Sequence, residues 1–171
     1  AASPARASPA DGRAMAAPAA PADPMVLPAG SIDMEAWLRC GGHVDARDER
    51  TGGTMLMIAS ARGDEAMVAA LLQRGASVDL QNKVGGTALM VASIQGDEAM
   101  VAALLQRGAS VDLQNKDGGT ALILASTKGK EATVAALLQR GASVDLQNKV
   151  GGTALMVASI QGDEAMVAAL L

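Results

Sequence analysis

Val84-Gly85-Gly86-Thr87-Ala88-Leu89-Met90-Val91-Ala92-Ser93-Ile94-Gln95-Gly96-Asp97-Glu98-Ala99-Met100-Val101-Ala102-Ala103-Leu104-Leu105 decides the fold, because it returns without a change as residues 150–171. Working outward, Thr54, Thr87, Thr120 and Thr153 are each 33 residues apart, and each follows a Gly-Gly pair. Leu-Gln-Arg-Gly-Ala-Ser-Val-Asp-Leu-Gln-Asn-Lys occurs three times, ending at Lys83, Lys116 and Lys149. Self-similarity at a fixed period of this size is the mark of a repeat array, in which each unit stacks on its neighbours.

One unit can be read physically. The glycines of Val84-Gly85-Gly86 permit positive φ and mark a turn. Thr87 offers a hydroxyl to a helix start. Leu89 and Ala92, three apart, share one side of a short helix from Thr87 to Gln95. Gly96 stops it. Asp97 caps a second helix, whose positive end Glu98 favours. Val101, Leu104 and Leu105 form its apolar stripe. Gly108 falls where a left-handed C-cap is expected, and Ala109 to Leu113 is expected to run extended to the next turn. Such a helix pair cannot bury both faces alone, so neighbours must cover it.

These residues resemble the ankyrin repeat. That family pairs a Gly-x-Thr-Pro-Leu-His-x-Ala start with a later Val-x-x-Leu-Leu-x-x-Gly-Ala, matched here by Gly85 to Ala92 and by Val101 to Ala109. The family's Pro is replaced by Met55, Ala88, Ala121 and Ala154, and its turn-holding His by Met57, Met90, Ile123 and Met156. The turns must therefore lean on Thr and on packing. The resemblance implies an all-α, ankyrin-like helix-turn-helix solenoid with short β-turn or hairpin loops. We divide it into a half unit at 31–50, units at 51–83, 84–116 and 117–149, and a truncated unit at 150–171. In the half unit, Trp37 to Asp45 aligns with Leu71 to Asp79, with Ser31 as N-cap and Asp33 in the first turn. The offset is 34, so the turn before Thr54 carries one extra residue. The last unit stops at Leu171, within its second helix. A fragment of a larger protein is therefore expected, as is self-association through the uncapped last repeat.

Residues 1–30 hold all six prolines, separated mainly by alanine. Proline removes backbone donors and fixes φ, so a disordered Ala/Pro-rich linker is expected. Arg6 and Arg13 are offset by Asp11 and Asp23, so it is no basic arm. Proline interrupts every apolar stretch that a signal peptide would need, whereas Ala, Arg and Ser leave a transit peptide open. No run is long enough for a membrane helix.

Composition narrows the function. Hydrophobic residues make up 50% of the chain but aromatics only 1%, so Leu, Val, Met and Ala must build the core around a single Trp37. The balance of 14 basic and 18 acidic residues, net -4, disfavours a nucleic-acid partner. One cysteine, Cys40, excludes an internal disulfide. One histidine, His43, makes a metal cluster or a Ser–His mechanism hard to build. Gly129-Lys130-Glu131 resembles the tail of a phosphate loop, but the earlier glycine is missing and no Ser or Thr follows the lysine. No catalytic residue, cofactor or metal is expected.

The resemblance implies a non-catalytic scaffold that binds another protein on a concave face made of turn tips and first helices. Carried over by position, the partner-binding candidates are Arg50, Arg62, Lys83, Val84, Ile94, Gln95, Lys116, Asp117, Thr127, Lys128, Lys149, Val150, Ile160 and Gln161. Arg50, Lys83, Lys116 and Lys149 fall in register, a column suited to an acidic segment, unless Asp79, Asp112 and Asp145 offset it. The Asn column (Asn82, Asn115, Asn148) reads as turn architecture, and Met67, Met100 and Met166 as core filler. An intracellular, cytoplasmic location is expected. The alternative is a targeting or regulatory module of a larger enzyme whose catalytic domain lies outside this chain. A third reading, prompted by the identical segments, is an array with no selected partner.

Overall fold

The computed structural model describes residues 34–171. The linker at 1–30, the Ser31 cap and Asp33 lie outside the described residues. Within them are nine α-helices and no strand: α1 (Met34–Arg39), α2 (Met55–Arg62), α3 (Glu65–Gln73), α4 (Ala88–Gln95), α5 (Glu98–Gln106), α6 (Ala121–Thr127), α7 (Glu131–Gln139), α8 (Ala154–Gln161) and α9 (Glu164–Leu170). One isolated bridge joins Arg47 to Thr54.

The capping residues start these helices as their sequence dictates. The hydroxyls of Thr54, Thr87, Thr120 and Thr153 accept from the N–H three residues on, at 3.4, 3.3, 3.2 and 3.3 Å. Asp64, Asp97 and Asp163 do the same for α3, α5 and α9, at 3.0, 3.0 and 2.9 Å. Gly96 ends α4 at φ +78°, and Gly108 follows α5 at φ +84°. A side chain at either place would be strained.

The helices form two layers. α2, α4, α6 and α8 each pack on the next, α3, α5, α7 and α9 form the second row, and each helix pair closes on itself. The apolar stripes meet between the layers: Leu71, Leu104 and Leu137 are all fully buried, as are Val101 and Val134. Each such side chain contributes about 1.5–3 kcal/mol of transfer free energy. Ser60, Ser93 and Ser126 are buried too, and each hydroxyl donates to the carbonyl four residues earlier. Met100 and Met166 fill the core as expected, whereas Met67 is only half-buried.

Two details differ from the sequence reading. Residues 109–113 do not run extended throughout, because Val111 and Asp112 form a turn. Only the first glycine of each Gly-Gly pair has positive φ: Gly52, Gly85, Gly118 and Gly151. A Cβ on Gly85 would lie 2.7 Å from the Lys116 nitrogen, so this glycine lets the next loop come close. The second glycine makes room for the turn's own asparagine, since a Cβ on Gly86 would lie 3.2 Å from the Asn82 amide.

At the amino-terminal end, Trp37 takes the place that Leu71 holds one unit later, and it is buried. Gly42 stands where the later units have alanine. A Cβ there would collide with the indole ring. The larger core residue and the missing methyl are thus paired in sequence.

Candidate partner-binding surface

The loop tips are built around asparagine. Asn82 Oδ1 accepts from the N–H groups of Val84 and Gly86 at 3.0 and 2.8 Å. Asn115 and Asn148 repeat this with the residues that follow them. The first tip is one residue longer, and there Asp48 takes over. Asp48 accepts from both the N–H and the hydroxyl of Thr51, whose oxygen in turn accepts from the Gly53 N–H. These bonds from Thr51, with the nearby charges of Arg50 and Lys83, hold the Asp48 carboxyl below the ordinary carboxylate value.

Successive tips are tied together by backbone. The N–H groups of Lys83, Lys116 and Lys149 donate to the carbonyls of Thr51, Val84 and Asp117 at 2.9, 3.0 and 2.8 Å. A second tie runs through glutamine: the Gln81 and Gln114 amides donate to the carbonyls of Gln114 and Gln147 at 3.0 and 2.9 Å. A third runs through aspartate. Asp45, Asp79 and Asp112 accept from the N–H groups of Ser77, Ser110 and Ser143 at 2.8, 2.8 and 2.9 Å. The first two also take the serine hydroxyl. Asp79 and Asp112 therefore bridge units rather than pair with the lysine column, whereas Asp145, the third of the expected offsetting row, is exposed and makes no such bond among the described residues. Sequence reading missed this role. A signal was present: the Asp–Ser separation is 31 or 32 residues, just short of the repeat, which places each serine beside the preceding unit's aspartate.

The candidate residues fall into two rows. At the tips, Arg50, Lys83, Lys116, Asp117 and Lys149 are exposed, with Val84 62% and Val150 90% exposed. Lys83 Nζ is committed to the Glu49 carbonyl at 2.6 Å. The Lys116 and Lys149 ammonium groups have no partner among the described residues. The second row lies at the carboxyl ends of α2, α4, α6 and α8. Arg62, Gln95, Thr127, Lys128, Ile160 and Gln161 are exposed there, and Ile94 is half-buried. Gln95 and Gln161 reach back to the carbonyls of Ala61 and Thr127 at 3.4 and 2.9 Å, bridging neighbouring helix ends.

Among the described residues no group of three or more His, Cys, Asp or Glu gathers as a metal site, and no helix is long and apolar enough to cross a membrane. Two rows of side chains on stacked helix pairs define a helical-repeat solenoid. The family model described as ankyrin repeats (3 copies) matches residues 28–115 and 96–171. The chain belongs to the ankyrin-repeat family, whose arrays are protein–protein interaction modules and typically non-catalytic. No curated protein matches its sequence.

Proposed function

We propose that the array is a non-catalytic scaffold that binds an acidic protein segment along the face made by the loop tips and the carboxyl ends of α2, α4, α6 and α8, and that it does so in the cytoplasm. One observation carries this reading. The Lys116 and Lys149 ammonium groups project from tips fixed by inter-unit backbone bonds, while Asp79 and Asp112 are occupied by serines. Preset tips avoid part of the ordering cost of binding. Aligned cations raise the association rate more than the final affinity. A poly-glutamate peptide is a direct probe by surface plasmon resonance. Its association rate is expected to fall with salt, and to fall again when Lys83, Lys116 and Lys149 are all changed to Glu. A rate insensitive to both would refute the acidic-partner reading. We also propose self-association through the last helix pair as a second use of the array. It is favoured by the apolar side chains exposed there.

A further inference from the structure

Helices α2, α4 and α6 present, in register at their carboxyl ends, the pairs Ala61-Arg62, Ile94-Gln95 and Thr127-Lys128. Each of these helices has a further one stacked beside it. Gln95 spends its amide on the Ala61 carbonyl at 3.4 Å. The Arg62 guanidinium and the Lys128 ammonium are exposed and have no partner among the described residues. In the unit between them Ile94 is half-buried, in line with the smaller Ala61 and Thr127. The row therefore runs cation, apolar, cation, one per unit. A helix end of this kind does not demand a cation, since glutamine holds the same place in α4 and α8. Unit 117–149 departs from unit 84–116 at this corner, with Lys128 for Gln95 and Lys130 for Asp97. The second exchange leaves α7 without a side-chain cap, and a local rule broken at no gain to the fold points to a functional site. The Lys130 stem leans on the preceding unit, where a Cβ on Gly96 would lie 2.6 Å from its Cδ. At its tip the same unit carries Asp117 in place of Val84, so its added positive charge lies at the helix end.

Resting on the acidic-partner reading, we propose that this row selects the segment by its sequence: an extended chain of the type Glu-x-x-Leu-x-x-Glu, with an apolar residue midway between two acidic ones. Packed helices lie about 8–10 Å apart, and an extended chain advances about 3.3 Å per residue, so successive units meet about every third residue. The acidic side chains pair with Arg62 and Lys128, and the apolar one covers Ile94. The pattern reads the same from either end, so it serves a segment lying in either direction. The tips stand a helix length away, about 12 Å for the eight residues of α4. That is close to the Debye length of about 10 Å, so the tip lysines attract the segment before contact, and Arg62 and Lys128 hold it in register.

Fluorescence anisotropy of the full chain at low salt, with labelled synthetic peptides, tests this. Gly-Ser-Glu-Ser-Gly-Leu-Gly-Ser-Glu-Ser-Gly carries the pattern, and a scrambled peptide of the same composition with adjacent glutamates does not. The patterned peptide is expected to bind more tightly. Arg62→Ala and Lys128→Ala are each expected to weaken it about two- to fivefold more than the scrambled one, the range of exposed ion pairs, with the far-UV spectrum unchanged. Arg62→Glu together with Lys128→Glu is expected to reverse the choice, favouring a peptide with lysine in place of both glutamates. Ile94→Ala is expected to remove the advantage of leucine over alanine at the middle position. Arg140→Ala, exposed at the end of α7 in the other row of helices, is expected to leave the preference intact. Poly-glutamate is the reference. If neither it nor the patterned peptide binds, the acidic-partner reading falls and this inference with it. If poly-glutamate binds but the chain does not distinguish patterned from scrambled peptide, or the preference survives the Arg62 and Lys128 variants, that reading stands and the pattern is overturned.

Discussion

Met90→Ala and Met156→Ala make the same chemical change in the same 22-residue sequence, yet their costs should differ severalfold. Met90 is 2% exposed beneath the following helix pair, and Met156 is 51% exposed at the end. Removing a buried methionine side chain loses its transfer free energy and leaves a cavity, together about 2–5 kcal/mol. At Met156 roughly half of the side chain is already in water and no cavity can form, so less than about 1 kcal/mol is expected. Position along the array widens the gap, because Met90 lies between two units and Met156 touches one. Urea titration followed by far-UV circular dichroism, at protein concentrations low enough to keep the chain monomeric, measures both. Equal losses, or a larger loss at Met156, would show that stacking of the next helix pair is not what buries Met90.

Three further outcomes are expected. Thr133 is 1% exposed where other units carry methionine, and its hydroxyl has no hydrogen-bond partner; Thr133→Val should stabilise by about 1–3 kcal/mol in the same titration, and no gain would mean that the hydroxyl is satisfied. Lys130 stands at the N-cap of α7 without a side-chain bond, unlike the aspartates of its sister helices; Lys130→Asp should raise stability by about 0.5–2 kcal/mol, and a lower melting temperature would count against it. Asp48 is held below its ordinary value chiefly by Thr51, so its contribution is present at neutral pH and lost as pH falls through the depressed folded-state value; Asp48→Asn should flatten that acid limb of a stability–pH curve, and an unchanged limb would refute the assignment.

Much of the unit was legible because its signals are local. A Thr or Asp followed three residues on by the N–H it caps, a glycine soon after every helix but α9, and an asparagine folded over its own turn all lie within a few residues of their partners. The inter-unit ties were harder to see. Asp79 looks like a counter-charge to lysines when one unit is read alone, and becomes a clasp for Ser110 only once the two units are laid side by side.

The ends were least legible, for the reason that makes arrays nearly one-dimensional: burial belongs to neighbours and not to letters. Met90 and Met156 share every residue from six before to fifteen after, and no local pattern can tell the covered one from the bare one. The same logic explains the amino-terminal end from the opposite direction. There the sequence departs from the repeat, with Trp37 for leucine and Gly42 for alanine, and the departure is matched within one contact. Residues 150–171 copy an interior unit without alteration, so the side chains that a following unit covers in 84–105 are bare in this stretch.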